Sequence, residues 1–239
     1  MRPDRPRQPP SPHLGLRKPP GHTILSLLLH RLDPEELQEA LLRVFPGADL
    51  GEVLVVDGKH LRGSGKGKSP QVRLVEVLAL HLLTTLAQAK AEGREDQALL
   101  ELLDRLGAEG LKGKVVVGDV GYLYPQLAGK VVRKGTGEAR RTVSYALTGL
   151  GPEVADARRL GELLLSRWEV ENRSFWVRDV LLHEDACQVR GVGAQVLAAL
   201  RAFLVSLLHR QGVREKKAAL EAFSFNPLAA LRFLGLYAV

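Results

Sequence analysis

The stretch Glu52-Val53-Leu54-Val55-Val56-Asp57-Gly58-Lys59 gives the clearest indication of architecture in this chain. Four consecutive apolar residues, three of them β-branched, are typical of a strand that is buried on both faces. Asp57 ends this run, and Gly58 allows a close backbone turn beside it. A second run, Val115-Val116-Val117-Gly118, is followed in the same way by Asp119. The two runs predict two buried strands, each ending at a carboxylate.

Further apolar runs surround these two strands. They predict strands at residues 72–80, 82–87 and 141–147 and helices at residues 95–106, 127–132 and from about 155 onward. The first three strands follow one another directly and so imply an antiparallel meander. The whole order, β-β-β-α-β-α-β-α, predicts an α/β RNase H-like fold, a mixed sheet flanked by helices.

The chain divides into four segments by composition. Residues 1–22 are rich in Pro and Arg and predict a flexible tail. Residues 23–50 predict a short helical segment, in which Asp33 caps a helix that begins at Pro34. Residues 51–211 form the expected RNase H-like domain, which closes with an apolar helix at residues 194–209. Residues 212–239 are a C-terminal extension.

Composition favours a nucleic-acid partner. The chain has 239 residues, 45% of them apolar, and a net charge of +7 with a pI near 9.7. A positive balance of this size favours a polyanion such as DNA or RNA. The single cysteine, Cys187, excludes an internal disulfide, and no signal peptide or run of about 18 uncharged apolar residues is present. We therefore expect a soluble, cytoplasmic protein without membrane contact.

Three acids fall where a two-metal site needs them. Asp57 and Asp119 end buried strands, and Glu171 lies on the predicted late helix. Mg²⁺ prefers oxygen ligands and keeps part of its water shell, so a few carboxylates and substrate phosphates are sufficient ligands. For each strand acid the simpler interpretation is an ordinary carboxylate at a turn. The scattered histidines contain no zinc-binding spacing.

The late helix has two interpretations. α-Helical periodicity places Arg167, Glu171 and Arg178 near one face, where an acid flanked by two arginines faces a ligand. The alternative is a salt-bridged amphipathic helix with Trp168 and Trp176 as core aromatics. Periodicity alone does not choose between Glu171 and its neighbour Glu169.

Basic residues cluster just after Asp57. Lys59 and Arg62 are placed to meet phosphates. The following loop, Gly65-Lys66-Gly67-Lys68-Ser69, ends like a phosphate-binding loop, but the first glycine of that pattern would have to be at residue 62. We interpret it as a basic loop beside the DNA backbone.

Two motifs carry a resemblance to a known family. They are Asp57-Gly58-Lys59-x-x-Arg62-Gly63 and Trp168-x-Val170-Glu171-Asn172-x-x-x-Trp176-x-x-Asp179-Val180-x-x-x-Glu184-Asp185, with the strand before Asp119 between them. Together they resemble the DDE insertion-sequence transposases of the group that includes the H-repeat-associated proteins. The resemblance spans roughly residues 23–210, and it selects Glu171 over Glu169.

The resemblance implies Mg²⁺-dependent strand cleavage and transfer at insertion-sequence ends, with Mn²⁺ as a substitute. It implies Asp57, Asp119 and Glu171 as catalytic metal ligands. Double-stranded DNA, as terminal inverted repeats and as target, is the implied partner, and a homo-oligomer is expected on that DNA. The expected DNA contacts are Lys59, Arg62, Lys66, Lys68, Arg167, Trp168, Asn172 and Arg178.

The chain also departs from the family pattern. Its helical N-terminal segment is short, a Lys-x-Asn segment after the second acid is missing, and Arg167 and Phe175 stand where histidines are common. A catalytically inactive DNA-binding remnant that inhibits transposition is therefore an alternative. A structure-selective RNase H-like nuclease is a third.

Overall fold

A four-stranded mixed sheet forms the centre of the molecule. The computed structural model describes residues 20–45, 51–67, 70–118 and 150–236. Its strands are β1 (Val53–Leu61), β2 (Val72–Ala79), β3 (Thr84–Lys90) and β4 (Val115–Gly118), in the spatial order β3-β2-β1-β4. The predicted helix at 127–132 and strand at 141–147 lie outside the described residues.

The strand pairing agrees with the predicted meander. β1 pairs antiparallel with β2, and β2 pairs antiparallel with β3. β4 adds to the other side of β1 in parallel, with Val56 opposite Gly118. A parallel neighbour requires a crossover, which the helix between β3 and β4 provides. The α/β architecture expected from the sequence is therefore confirmed, and the proposed domain boundaries remain a prediction.

Two strands differ in extent from the prediction. β1 continues to Leu61, so Asp57 lies in the middle of its ladder with β2, directly opposite Glu76. Within the described residues, Val53 to Val56 of β1 pair with Val115 to Gly118 of β4. β3 begins at Thr84 instead of residue 82, because the tight connection uses Leu83 at a φ of 47°. Although Leu83 lies in that turn, its side chain is buried in the core.

Seven α-helices flank the sheet in the described residues. They are α1 (His22–Arg31), α2 (Pro34–Leu42), α3 (Glu95–Leu111), α4 (Ala157–Val170), α5 (Gly191–Arg210), α6 (Lys216–Phe225) and α7 (Pro227–Phe233). As predicted, Asp33 caps α2, and its carboxylate accepts hydrogen bonds from the backbone N–H groups of Glu35 and Glu36.

The sheet is covered on both faces. On one face Leu99 and Leu102 of α3 pack against residues that include Val56 of β1. On the other face Leu163 and Val170 of α4 pack against strand residues that include Val55, Leu78 and Val53. Because both faces are buried, β1 needs the uninterrupted apolar run that its sequence shows.

Helix α5 is the core helix of the C-terminal part. By length and composition it is the one described helix that could cross a membrane, but 56% of its most apolar window is buried inside the protein. Ala194 and Ala198 pack against Leu61, Val72 and Leu74 of the sheet. This packing confirms the prediction that the apolar helix docks on the domain.

Helix α4 continues into a more widely wound segment. Residues Glu171–Phe175 and Val177–Leu181 form π-helix, with backbone bonds from Trp176 N–H to the Glu171 carbonyl and from Leu182 N–H to the Val177 carbonyl. Hydrogen bonds of the i→i+5 type place more residues in each turn than an α-helix does. The side chains after Glu171 therefore point in directions that an α-helical projection does not give.

Candidate active site

Asp57 is a partly buried carboxylate on the central strand β1. Its Oδ1 accepts a hydrogen bond from the backbone N–H of Gly58 at 2.8 Å. Burial raises the pKa of Asp57 from 3.8 to about 6, against the opposing effects of the Arg167 charge and the Gly58 hydrogen bond. The charges of Glu171 and Glu76 raise this pKa further. Such a desolvated carboxylate beside other acids is a frequent feature of functional sites.

Glu171, on the other element of the site, lies close enough to Asp57 for its charge to raise the pKa of Asp57. It is the first residue of the π-helical segment, its side chain is 46% exposed, and Arg167 approaches it at 3.4 Å one turn earlier. Both Arg167 and Glu171 act electrostatically on Asp57. The fold thus brings two acids together that are 114 positions apart in the sequence.

Asp119 lies outside the described residues. The last described residue of β4, Gly118, pairs with Val56, the neighbour of Asp57. Within the described ranges no group of three His, Cys, Asp or Glu side chains forms a metal cluster. Of the three expected ligands, the structure describes Asp57 and Glu171. Both have carboxylate oxygens, which hard divalent cations prefer as ligands. The Asp57 carboxylate is held by the Gly58 N–H group, and the Glu171 carboxylate is exposed to solvent. The described part of the site is therefore compatible with Mg²⁺.

Arg178 belongs to a buried ion cluster. Its guanidinium donates two hydrogen bonds to Glu184, at 2.6 and 2.9 Å, and one to Glu76 at 2.7 Å. All three side chains are at most 2% exposed. Burial alone would lower the pKa of Arg178, but the carboxylates of Glu184 and Glu76 raise it above its ordinary value. Arg178 is therefore inaccessible to DNA, which conflicts with the phosphate contact expected from the sequence.

Lys59 is also buried, at 6% exposure, and so does not take the expected phosphate position either. Its ammonium forms an ion pair with Asp179 and lies 3.8 Å from Asp185. The Phe175 ring lies beside both buried cations, 5.5 Å from Lys59 Nζ and 5.4 Å from Arg178 Cζ. These distances allow cation–π attraction. Lys59 and Arg178 attach the late helix to β1 and β2.

The two sequence motifs contact each other at Gly63. A Cβ atom at this position would overlap the Cys187 carbonyl oxygen and lie 2.9 Å from that of Asp185. Only glycine permits this approach of the segment after β1 to the end of the late motif. Arg62 adds an ion pair with Asp185 at 3.4 Å. Several motif residues thus hold the two halves of the site in place.

Of the other expected DNA contacts that the structure describes, Arg167 is half-buried, with 23% of its side chain exposed, and the rest are on the surface. The Arg62 side chain is 76% exposed, and Lys66 and Asn172 are exposed. Trp168 and Trp176 are 54% and 52% exposed, so neither is the core aromatic of the alternative interpretation. Lys68 lies outside the described residues.

The sequence did not reveal which acids near the site pair with the buried cations Lys59 and Arg178. Glu76 interrupts the apolar run Leu74-Val75-Glu76-Val77-Leu78, and a charge inside a buried strand requires a buried partner. That signal was available, although it does not identify Arg178 as the partner. Asp179, Glu184 and Asp185 belonged to the recognised motif, but the sequence does not show that they bind cations of the protein itself.

Comparison with known proteins gives one finding. Residues 49–208, more than half of the chain, match the family model described as transposase DDE domain. The matched region begins just before β1 and ends within α5. Searches of curated proteins and of solved structures gave no significant match.

Proposed function

The chain belongs to the transposase DDE-domain family, and on this basis we propose that it catalyses Mg²⁺-dependent DNA strand cleavage and transfer at insertion-sequence ends. The observation that carries the proposal is that Asp57, a partly buried carboxylate on the central strand β1, lies within electrostatic reach of Glu171 on the late helix. Two neighbouring carboxylates, one of them partly desolvated, favour a divalent counter-ion over monovalent ones.

Asp57, Asp119 and Glu171 would hold the metal, Mg²⁺ or Mn²⁺. The register of β4 supports the inclusion of Asp119, since this residue follows Gly118 as Asp57 follows Val56. Metal ions at such a site supply an activated nucleophile and stabilise the leaving oxygen of a phosphodiester. The chain itself contributes orientation: Gly58 N–H fixes Asp57, and Arg167 directs the side chain of Glu171.

Double-stranded DNA is the proposed partner, as terminal inverted repeats and as target. Arg62, Lys66, Arg167, Trp168 and Asn172 are the described candidates for contact, since their side chains reach the surface. The net charge of +7 supports binding to a polyanion. We further propose that the protein acts in the cytoplasm and assembles as a homo-oligomer on DNA.

Metal-dependent nicking tests the activity. Duplex DNA carrying the ends of the element, taken from the sequence that flanks the gene, should be nicked with Mg²⁺ or Mn²⁺ and remain intact with EDTA. Asp119→Asn should remove the activity while leaving DNA binding in a gel-shift assay. Tight binding by the wild type without nicking would instead support the inactive remnant. Nicking of branched or hybrid substrates without need for element ends would support the structure-selective nuclease.

Tryptophan fluorescence tests the proposed DNA contact of Trp168. The chain contains two tryptophans, Trp168 and Trp176, so a Trp176→Phe variant reports on Trp168 alone. DNA should quench this signal, and Trp168→Ala should weaken DNA binding by about fivefold or more if the indole stacks on an unpaired base at the DNA end, since such stacking contributes about 1–3 kcal/mol. The Trp168→Phe variant is the control for Trp176. Undiminished Trp168 fluorescence under conditions where a gel shift shows full binding would rule out the contact.

A further inference from the structure

Arg167 pairs with one described acid of the site, Glu171, and its charge acts on the other, Asp57. Its Nη2 is 3.4 Å from Glu171 Oε1, and its side chain is only 23% exposed. It is also the cation that acts on Asp57, from a helix that packs on β1. Two further cations in the described part of the chain pair with other acids: Lys59 with Asp179, and Arg178 with Glu76 and Glu184. Among the described residues, Arg167 is the cation that pairs with Glu171 and acts on Asp57.

We propose that Arg167 is an internal counter-cation, which holds Asp57 and Glu171 together in the metal-free protein and is displaced from Glu171 when a divalent ion binds. This inference rests on the proposed function, because it assumes that the ion binds to these two acids. Arg167 and the ion would compete for the same carboxylate oxygens. A guanidinium donates hydrogen bonds but cannot replace a metal in the chemistry. Arg167 is thus a positioning residue, and its release makes it available to a DNA phosphate.

If Arg167 and the divalent ion compete for Glu171, the affinity for the ion depends on Arg167. A purely structural role of Arg167 does not predict this dependence. If metal binding must break the Arg167–Glu171 ion pair, removal of the arginine charge should tighten metal binding. A partly exposed i,i+4 pair of this kind corresponds to a factor of about two in an equilibrium constant. By linkage, the same variant should be less stable without metal and should gain more stability when metal is added.

The same helix offers a matched control. Arg173 pairs with Glu169 at 2.9 Å with the same i,i+4 spacing, and both side chains are more than half exposed. This pair is not part of the proposed site. Arg173→Gln therefore removes the same chemical group from the same helix without changing the charge balance at Asp57 and Glu171.

Isothermal titration with Mn²⁺, without DNA, measures the effect. We expect Arg167→Gln to bind Mn²⁺ about twofold more tightly than wild type and to show a larger Mn²⁺-induced rise in Tm. Arg173→Gln should bind like wild type, and Arg167→Lys, which keeps the charge, should lie close to wild type. Unchanged or weaker Mn²⁺ binding by Arg167→Gln overturns the inference.

Asp57→Asn separates this inference from the proposed function. If Mn²⁺ binding to the wild type does not depend on Asp57, the proposed metal site fails, whatever Arg167 does. If binding depends on Asp57 but Arg167→Gln does not tighten it, only the role of Arg167 fails. Absence of Mn²⁺ binding by both wild type and Arg167→Gln contradicts both proposals.

Discussion

An Asp57→Asn variant is expected to lose metal-dependent DNA nicking by about a thousandfold or more and, at the same time, to become more stable. Loss of activity follows because the amide has lost the negative charge that binds the metal, and metal ions contribute several kcal/mol to such reactions. The gain in stability follows because folding places the charged carboxylate in a partly buried position beside Glu171 and Glu76. Asparagine has nearly the same shape without that charge.

The stability gain should depend on pH in a defined direction. Burial raises the pKa of Asp57 from 3.8 to about 6, so between these values the folded protein binds the proton that the unfolded chain releases. Stability of the metal-free wild type therefore falls relative to Asp57→Asn as the pH rises through this range. Below about pH 4 the variant should have no advantage, and above about pH 6 its advantage should reach about 2–3 kcal/mol.

Urea unfolding in EDTA, at several pH values between 4 and 8, measures this difference. The Glu169→Gln variant is a suitable control, because Glu169 is an exposed acid two residues from Glu171 that pairs with Arg173. It should keep both nicking and wild-type stability. An Asp57→Asn variant that nicks DNA normally would exclude Asp57 as a metal ligand. A variant with reduced stability at pH 7 would show that Asp57 makes favourable contacts beyond those described.

The apolar runs predicted the central strands, because a strand covered on both faces needs a continuous run of apolar residues. Val53 to Val56 and Val115 to Gly118 pair as parallel neighbours, as runs of this kind do. Leu83 shows the limit of the method. Its apolar side chain indicated a strand, yet it fills the core from a turn, and hydropathy reports burial without reporting backbone conformation.

For the site, the acids remain a prediction and the roles of two cations were wrong. The charge of Glu171 acts on Asp57, as expected of neighbours in one site, but Asp119 lies outside the described residues. α-Helical periodicity placed Arg178 on the ligand-facing side, and the alternative interpretation placed Trp176 in the core; in the structure Arg178 is buried and Trp176 is 52% exposed. The reason is the π-helical winding after Glu171, which rotates later side chains away from their α-helical positions. A projection with 3.6 residues per turn cannot represent this segment.

Arg178→Met is expected to destabilise the fold by about 3–5 kcal/mol, because it leaves Glu76 and Glu184 buried without a counter-charge. For a chain of this size the loss corresponds to a fall in Tm of about 10 °C. Thermal and urea unfolding measure it directly. Arg173→Gln, which removes an exposed arginine from the same helix, should cost less than about 1 kcal/mol.

A phosphate-binding role for Arg178 makes the opposite prediction, namely weakened DNA binding with unchanged stability. The structural role and the phosphate-binding role of Arg178 can be distinguished by replacing Arg178, Glu76 and Glu184 together. In a triple variant, Arg178→Met with Glu76→Leu and Glu184→Leu, no charge of this cluster remains, and apolar groups of similar volume often stabilise a fold as well as the ions they replace. We expect the triple variant to recover most of the lost stability and wild-type DNA binding. Recovered stability with persistent loss of DNA binding would show that Arg178 reaches the nucleic acid after all, through a rearrangement of the helix that carries Glu171.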